Sequence, residues 1–383
     1  MSGSTPKTNI TEFWDGDVKW ITPAELDENT YIITDSVRKI TNLAMQKTGL
    51  TAFPAGTVIL SSRAPIGKVA IAGCKMCCNQ GFKNFICSEI VNNKYLYWFL
   101  KHNTAYLNSL GRGATFKEIS KSIVSSIEID LPSLEEQKRV VDNIEKISTI
   151  ITLRKKEISI LDDLIKARFV ELFGDQTTNP YGWQKASIGA CCTLKSGTSL
   201  PADKENEGGA IPYVKVSDMN YPGNEQYITT SSRFVSEQTA GTGVFPVGTV
   251  VFPKRGGAIG TNKKRLTRIP ICADLNVMGV TAGIRLTPQY LMAYFSNIDL
   301  GTLNNGSSVP QINNKDIAPL LICLPPMVLQ QQFAEFVIQV DKSKLLSGCR
   351  LFHSWAPENR DQPKHVGVPQ RKTKVLRGGR RQQ

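Results

Sequence analysis

Histidine is scarce in this sequence. There are three in 383 residues, and two of them, His353 and His365, lie close to the C-terminus. That excludes a site built around several imidazoles. No apolar run reaches the roughly 18 residues that a membrane span needs. Residues 1–15 are polar, so neither a membrane partner nor a signal peptide is expected. Nine cysteines in so long a chain do not make a secreted disulfide framework; they fit a reducing, cytoplasmic setting. Cys74-x-x-Cys77-Cys78 with Cys87 has one metal-like pair but no second pair and no histidine nearby. No metal is expected there, and these residues read as small apolar core positions.

Catalytic loops are also lacking. Gly256-Gly-Ala-Ile-Gly260 follows an expected strand but does not open an amphipathic helix. Gly67-Lys68 lacks the upstream Gly and the Ser/Thr of a phosphate loop, and Asn179-Pro180-Tyr181 is an incomplete Asn-Pro-Pro-Tyr box in a linker. No catalytic residue and no cofactor are expected.

What is present begins with charge. The net +13 points to a polyanionic partner, but residues 345–383 alone carry +7, which leaves +6 for residues 1–344. The body is only mildly basic. Its most regular stretch, 134–175, places Ile144, Ile151, Ile158, Ile165 and Leu172 seven residues apart, with Ile147, Leu161 and Phe169 beside them. No Pro or Gly interrupts it before Gly174, a C-terminal stop. This spacing predicts a coiled-coil seam on a rod of roughly 58 Å, at ~1.5 Å per residue. A long core helix of one domain is the other reading.

The sequence also repeats itself about 193 residues on. Gly3-Ser4-Thr5 parallels Gly197-Thr198-Ser199; Phe53-Pro-Ala-Gly-Thr-Val58 parallels Phe245-Pro-Val-Gly-Thr-Val250; Arg63-Ala-Pro-Ile-Gly67 parallels Arg255-Gly-Gly-Ala-Ile-Gly260; and Leu131-Pro132 parallels Leu324-Pro325. The period is too long for a solenoid, so this is a tandem duplication. Each copy is expected as an α+β globule, with strands near 58–60 and 69–72 (250–252 and 269–272 in the second copy). An aromatic helix near 94–107 (288–297) and a last strand at 127–131 (320–324) follow, before a long helix.

The domains expected are 1–132, a central helix 133–175, 176–325, a truncated second helix 326–346 and a disordered basic tail 347–383. The second copy has a lead-in, 183–195, that the first lacks. Both ends are expected to be clipped relative to the internal repeat. A second helix of about 17 residues would leave Ile158, Ile165 and Leu172 poorly covered.

The ordered landmarks GSTP, WDGDVKWITPAEL (14–26), FPAGTVILSSRAPIGKVAI (53–71), NQGFK (79–83) and IDLPSLEEQKRVV resemble the specificity (S, HsdS) subunit of bacterial type I restriction–modification systems over roughly residues 3–346. The resemblance implies two target recognition domains, each reading half of a split, asymmetric double-stranded DNA site. It also implies long helices packed as an antiparallel coiled coil that sets the half-site gap. Methyltransferase (M) subunits would bind these helices and bring the restriction endonuclease (R) subunits, so the S subunit itself would be no enzyme. The alternatives are a stand-alone methyltransferase/nuclease, a degenerate, inactive S subunit, or a scaffold acting through its basic tail.

Base edges are read by Arg/Lys and Asn/Gln, while Ser/Thr hold phosphates. By residue type and loop position, the first copy offers Lys19, Thr22, Ser61, Ser62, Arg63, Gln80, Lys83, Arg112 and Thr115 as DNA contacts. The second offers Lys215, Ser217, Lys254, Arg255, Asn262, Lys264, Asn305, Ser307, Ser308 and Gln311. Arg63/Arg255, Thr22/Lys215 and Thr115/Ser308 recur across the repeat.

Overall fold

The Val- and Ile-rich runs form the strands that their β-branched content favours. In a computed structural model of the chain, which describes residues 2–63, 65–113, 117–303 and 309–352, the first copy builds a mixed sheet from β1 (Ile32–Ile33), β2 (Val58–Ser61), β3 (Val69–Ala72) and β4 (Phe82–Phe85) in the order β1-β3-β2-β4. β2 is buried on both faces. Val58 and Leu60 point into a core with Tyr97 and Leu100 of α1 (Asn93–His102), and Ile59 points the other way towards Phe53 and Phe82. A smaller sheet flanks it, with Trp14–Ile21 between Arg38–Ile40 and Cys77–Cys78.

Helix α2 runs from Leu134 to Phe173, about 60 Å at ~1.5 Å per residue. Ser133 caps it, its hydroxyl accepting from the Glu136 N–H at 3.2 Å. Gly174 ends it at φ +72°, where a Cβ would run into Pro180. The chain divides into two units between Ile151 and Thr152, inside this helix.

After β5 (Lys185–Ser187) and β6 (Cys192–Ser196), the second unit repeats the plan. Here β7 (Tyr227–Ile228), β8 (Thr249–Pro253), β9 (Arg265–Thr267) and β10 (Val277–Ala282) lie in the order β7-β9-β8-β10, with β6 added beside β10. Val250 and Phe252 face α3 (Pro288–Ser296), and Val251 faces away, as in the first copy. The smaller sheet recurs too, with Ile211–Val214 between Phe234–Val235 and Cys272–Ala273. Gly3 and Gly197 share one cause: each lies so close to the small sheet that a Cβ would fall on a backbone carbonyl, of Cys78 and of Asp274 respectively. This is the α+β duplication that the repeat predicts.

Four local expectations fail for physical reasons. No strand forms across 269–272; Pro270, which has no N–H to give a ladder, separates β9 from Cys272–Ala273. Residues 127–131 are not a strand, whereas β11 (Leu321–Cys323) is, because β5 from the lead-in pairs with it. The aromatic helix expected at 94–107 breaks at Asn103 into α1 and a short helix, Thr104–Ser109. The second long helix, α4, runs from Met327 to Phe352, past the expected end at 346 into the stretch read as disordered tail. Gly348 costs a helix about 1 kcal/mol and does not stop it without a proline.

The coverage of the α2 seam is also corrected. Phe169 and Phe173 meet Phe333 at 5.5 Å between ring centroids, and Asp162 pairs with Lys344 at 2.6 Å. Position rises along α2 as it falls along α4, so the two run antiparallel here, and the start of α4 covers the end of α2. Ile165 and Leu172 therefore pack against the second unit's core, and Ile158 is half-buried. The uncovered apolar face lies earlier, at Ile150, Leu153, Ile160 and Leu164, which are 45–59% exposed. Among the described residues, no helix is long and apolar enough to cross a membrane.

Candidate nucleic-acid interface

Each central strand delivers an arginine to a second loop of its own unit. Just beyond β2, Arg63 forms a β-bridge with Glu118, which also bridges Arg112. The Arg63 Nε donates to the Glu118 carboxylate at 3.0 Å, and Lys83 Nζ lies 3.3 Å from its other oxygen. Burial pushes the Glu118 carboxyl up, but Arg63 and Lys83 more than reverse this, and its pKa ends below the usual value. Beyond β8, Arg255 bridges Gln311 in the same way, with Nη2 3.4 Å from the amide oxygen. The recurring pair Arg63/Arg255 thus occupies one structural position, with carboxylate-held arginine in one unit and amide-held arginine in the other. Arg63, Arg112 and Arg255 are exposed.

A second cluster forms between the arginine loop and a short 3-10 turn. In the second unit this turn, Val216–Asn220, carries exposed Ser217 and starts at Lys215, whose ammonium pairs with Glu205 at 2.6 Å. Lys263 reaches Asn220 from the other loop. In the first unit Thr22 opens the turn Pro23–Glu25, and Lys68 donates to the carbonyl oxygens of Pro23 and Leu26 at 3.0 and 2.5 Å. Residue type alone did not single out Lys68 or Lys263; their signal was a lysine after each arginine loop.

Other expected contacts stand apart from these clusters. Lys19 donates to the Thr34 carbonyl at 2.5 Å, Gln80 accepts from Thr5 at 2.6 Å, and Lys254 donates to Ser196 at 2.9 Å. Asn262 is an exposed left-handed residue at φ +52° whose side-chain oxygen accepts from Leu300 N–H and Lys264.

Four residues chosen as DNA contacts lie inside the fold instead. Ser61 and Ser62 are fully buried, with hydroxyls donating to the Pro65 and Gly81 carbonyls. Lys83 is buried against Ser62 and Glu118. Lys264 is buried with its ammonium donating to the Ile298 carbonyl at 2.6 Å and to Asn262, and burial pushes it down to about 8. Each is a polar residue folded inward to satisfy a loop's backbone or a carboxylate. Thr115, Asn305, Ser307 and Ser308 fall outside the described residues.

The sequence reading missed a set of contacts where each long helix meets its own unit. Gln137 and Gln330, both fully buried, occupy equivalent places. Gln137 Nε2 donates to the Ile90 and Pro132 carbonyls at 3.0 and 2.9 Å, and its oxygen accepts from Asn92 N–H at 2.8 Å. Gln330 does the same with Arg285, Pro325 and Thr287 at 3.0, 2.9 and 2.9 Å. Further along each helix, Tyr31 donates to Glu145 and Tyr227 to Asp341. Lys94 and Arg268 add the positive partners at 3.0 and 3.7 Å. The available signal was Leu-Pro followed five residues after the proline by Gln, in both copies.

Among the described residues, no group of three or more His, Cys, Asp or Glu side chains is placed to hold a metal ion. Burial raises Cys77 and Cys78 to about 11, so both stay thiols in the core.

Taken together, these features define a class: a two-module protein whose equivalent modules present matched arginine loops and are each locked to a long helix. The chain belongs to the family of type I restriction modification DNA specificity domains, which matches residues 1–161 and 180–348. It is 30% identical over 362 residues to the type I restriction enzyme MjaIX specificity subunit of Methanocaldococcus jannaschii, covering 88% of this chain and 82% of that one. The fold is similar to that of the type I restriction–modification S subunit from M. genitalium, with a TM-score of 0.53 at 14% identity over 92% of this chain and 96% of that one. It is also similar to a chain of a type I R-M system solved for its complex assembly and conformational transition, with a TM-score of 0.54 at 19% identity over 92% and 88% of the two chains.

Proposed function

We propose that this chain is the DNA-recognition subunit of a type I restriction–modification complex, each unit reading one half of a split, asymmetric duplex site. The observation that carries this reading is the duplicated arginine loop pair. Arg63 with Glu118 and Arg112, and Arg255 with Gln311, sit at one structural position but differ in the side chains around the arginine. Equivalent position with different chemistry is what reading two different half-sites needs. An arginine held by a neighbour presents its remaining donors to a guanine edge, at ~1–3 kcal/mol of discrimination. Lys19, Thr22, Gln80, Thr115, Lys215, Ser217, Lys254, Asn262, Asn305, Ser307 and Ser308 complete the proposed contacts to bases and phosphates. Ser61, Ser62, Lys83 and Lys264 are left out because they are buried.

The long helices hold the half-sites at a set distance. The exposed stripe Ile150, Leu153, Ile160 and Leu164 supports assembly with methyltransferase subunits, which bring the restriction subunits. Chemistry belongs to those partners; the family match gives no support to a stand-alone enzyme. The test is half-site specificity of the assembled complex on single-base variants of its site. Arg63→Ala relaxes one half only and Arg255→Ala the other only, each by ~5- to 150-fold at one base pair. Loss spread evenly over both halves in either variant refutes the assignment.

A further inference from the structure

We propose that Gln137 and Gln330 are positioning residues: with the tyrosine–carboxylate contact further along, each fixes the angle at which its long helix leaves its recognition unit, and so the spacer the protein accepts between half-sites. The inference rests on the reading of the chain as a two-half-site reader. What carries it is the duplication of an unusual contact. A fully buried glutamine in the first or second turn of a long helix has all three of its bonds to backbone, and the same three-bond pattern occurs in both units. One carbonyl belongs to the proline that precedes the helix, Pro132 or Pro325. The other two partners, Ile90 and Asn92 or Arg285 and Thr287, belong to the segment entering α1 or α3. The side chain therefore clamps the helix start to the recognition unit rather than serving the helix itself.

A single clamp leaves a helix free to tilt about it; a second point on the same element removes that freedom. Glu145 lies eight residues beyond Gln137, and Asp341 eleven beyond Gln330. At ~1.5 Å per residue the two points are about 12 Å apart in the first unit and about 16 Å in the second. Each second point is a hydroxyl–carboxylate contact with a cation beside it, Tyr31–Glu145–Lys94 and Tyr227–Asp341–Arg268. Asp341 is itself buried. Precision at the joint matters because α2 is a long lever. A tilt of only ~3° displaces the far end of a rod of about 60 Å by ~3.4 Å, the rise of one base pair. Packing of apolar side chains tolerates such a tilt more readily than directional hydrogen bonds do.

The experiment uses the full chain assembled with its methyltransferase subunit. DNA duplexes carry both half-sites at the native spacer or at a spacer one base pair shorter or longer, and methylation rates are compared for wild type, Gln137→Met and Tyr31→Phe. Gln137→Met keeps the side chain's length and removes all three bonds; Tyr31→Phe removes one hydroxyl and keeps the ring should the first variant fail to fold. The expected result is that preference for the native spacer falls by about tenfold in either variant, while discrimination against single-base changes within each half-site is unchanged. A role in stability alone would lower every rate together and leave the spacer ratio intact, and that result overturns the proposal. Base discrimination falling along with spacer preference overturns it too. A wild-type complex that shows no split site overturns the two-half-site reading and this inference with it.

Discussion

Replacing Phe169 with alanine tests how the end of α2 is held. The ring is 2% exposed and meets Phe173, Tyr290 and Phe333 at centroid distances of 5.1, 5.3 and 5.5 Å, all in one core. A buried Phe→Ala change costs ~3–5 kcal/mol, of which each edge-on aromatic pair accounts for ~0.5–1.5 kcal/mol beyond its area. Phe169 also lines a cavity of about 310 Å³ with Ile165, Phe333 and Val337. That space opens one side of the site to water and places the cost in the lower half of the range, ~3–4 kcal/mol. For a unit of this size each kcal/mol lowers Tm by ~2–4 °C, so a fall of about 6–16 °C is expected. Urea unfolding followed by hydrogen exchange gives the free energy, read on peptides from 249–295 and 327–345. A loss below ~1 kcal/mol would refute the view that this cluster anchors the helix.

Glu145→Gln reports on the tyrosine–carboxylate contact through pH. Burial pushes the Glu145 carboxyl up, but the Tyr31 hydroxyl and Lys94 ammonium outweigh it, and its pKa lies below the usual 4.5. A carboxylate lowered on folding stabilises fully above the unfolded value and loses that contribution as pH falls through its folded value. The Tm gap between wild type and E145Q is therefore expected at about pH 7 and closes below about pH 4.5; a gap independent of pH contradicts the assignment. Ser133→Ala removes the cap of α2 and costs ~1 kcal/mol by denaturant titration, whereas exposed Ser217→Ala changes stability by less than ~0.5 kcal/mol. Glu118→Gln frees Arg63 and Lys83 from a carboxylate, so DNA affinity rises while base discrimination at that half-site falls, read by competition binding at fixed salt.

The duplication was legible because the turn Phe-Pro-x-Gly-Thr-Val, the arginine loop and the Leu-Pro helix start recur in order, and each corresponds to the same element in both units. Helix α2 was legible from its heptads and from Gly174. Which seam residues are covered was not, because a seam states where a partner packs but not how far along it the partner's first turns fall; the start of α4 meets Phe169 and Phe173, close to the end of α2. The burial of Ser61, Ser62, Lys83 and Lys264 was not legible because residue type does not reveal whether a polar group satisfies a loop carbonyl or faces solvent. The glutamine joint went unseen for the complementary reason: a glutamine near a helix start looks like a solvated residue until the fold buries it. Strand 127–131 failed because pairing needs a neighbour, and in the second unit that neighbour, β5, comes from the 183–195 lead-in.

The central claim is that two equivalent units read two different half-sites. Co-expression of the chain with its methyltransferase subunit, followed by genome-wide mapping of methylated adenines, tests it most directly. The account predicts one split, asymmetric motif with a spacer of constant length. A palindromic motif would mean that one unit reads twice, and a contiguous motif or no methylation from a soluble complex would contradict the account outright.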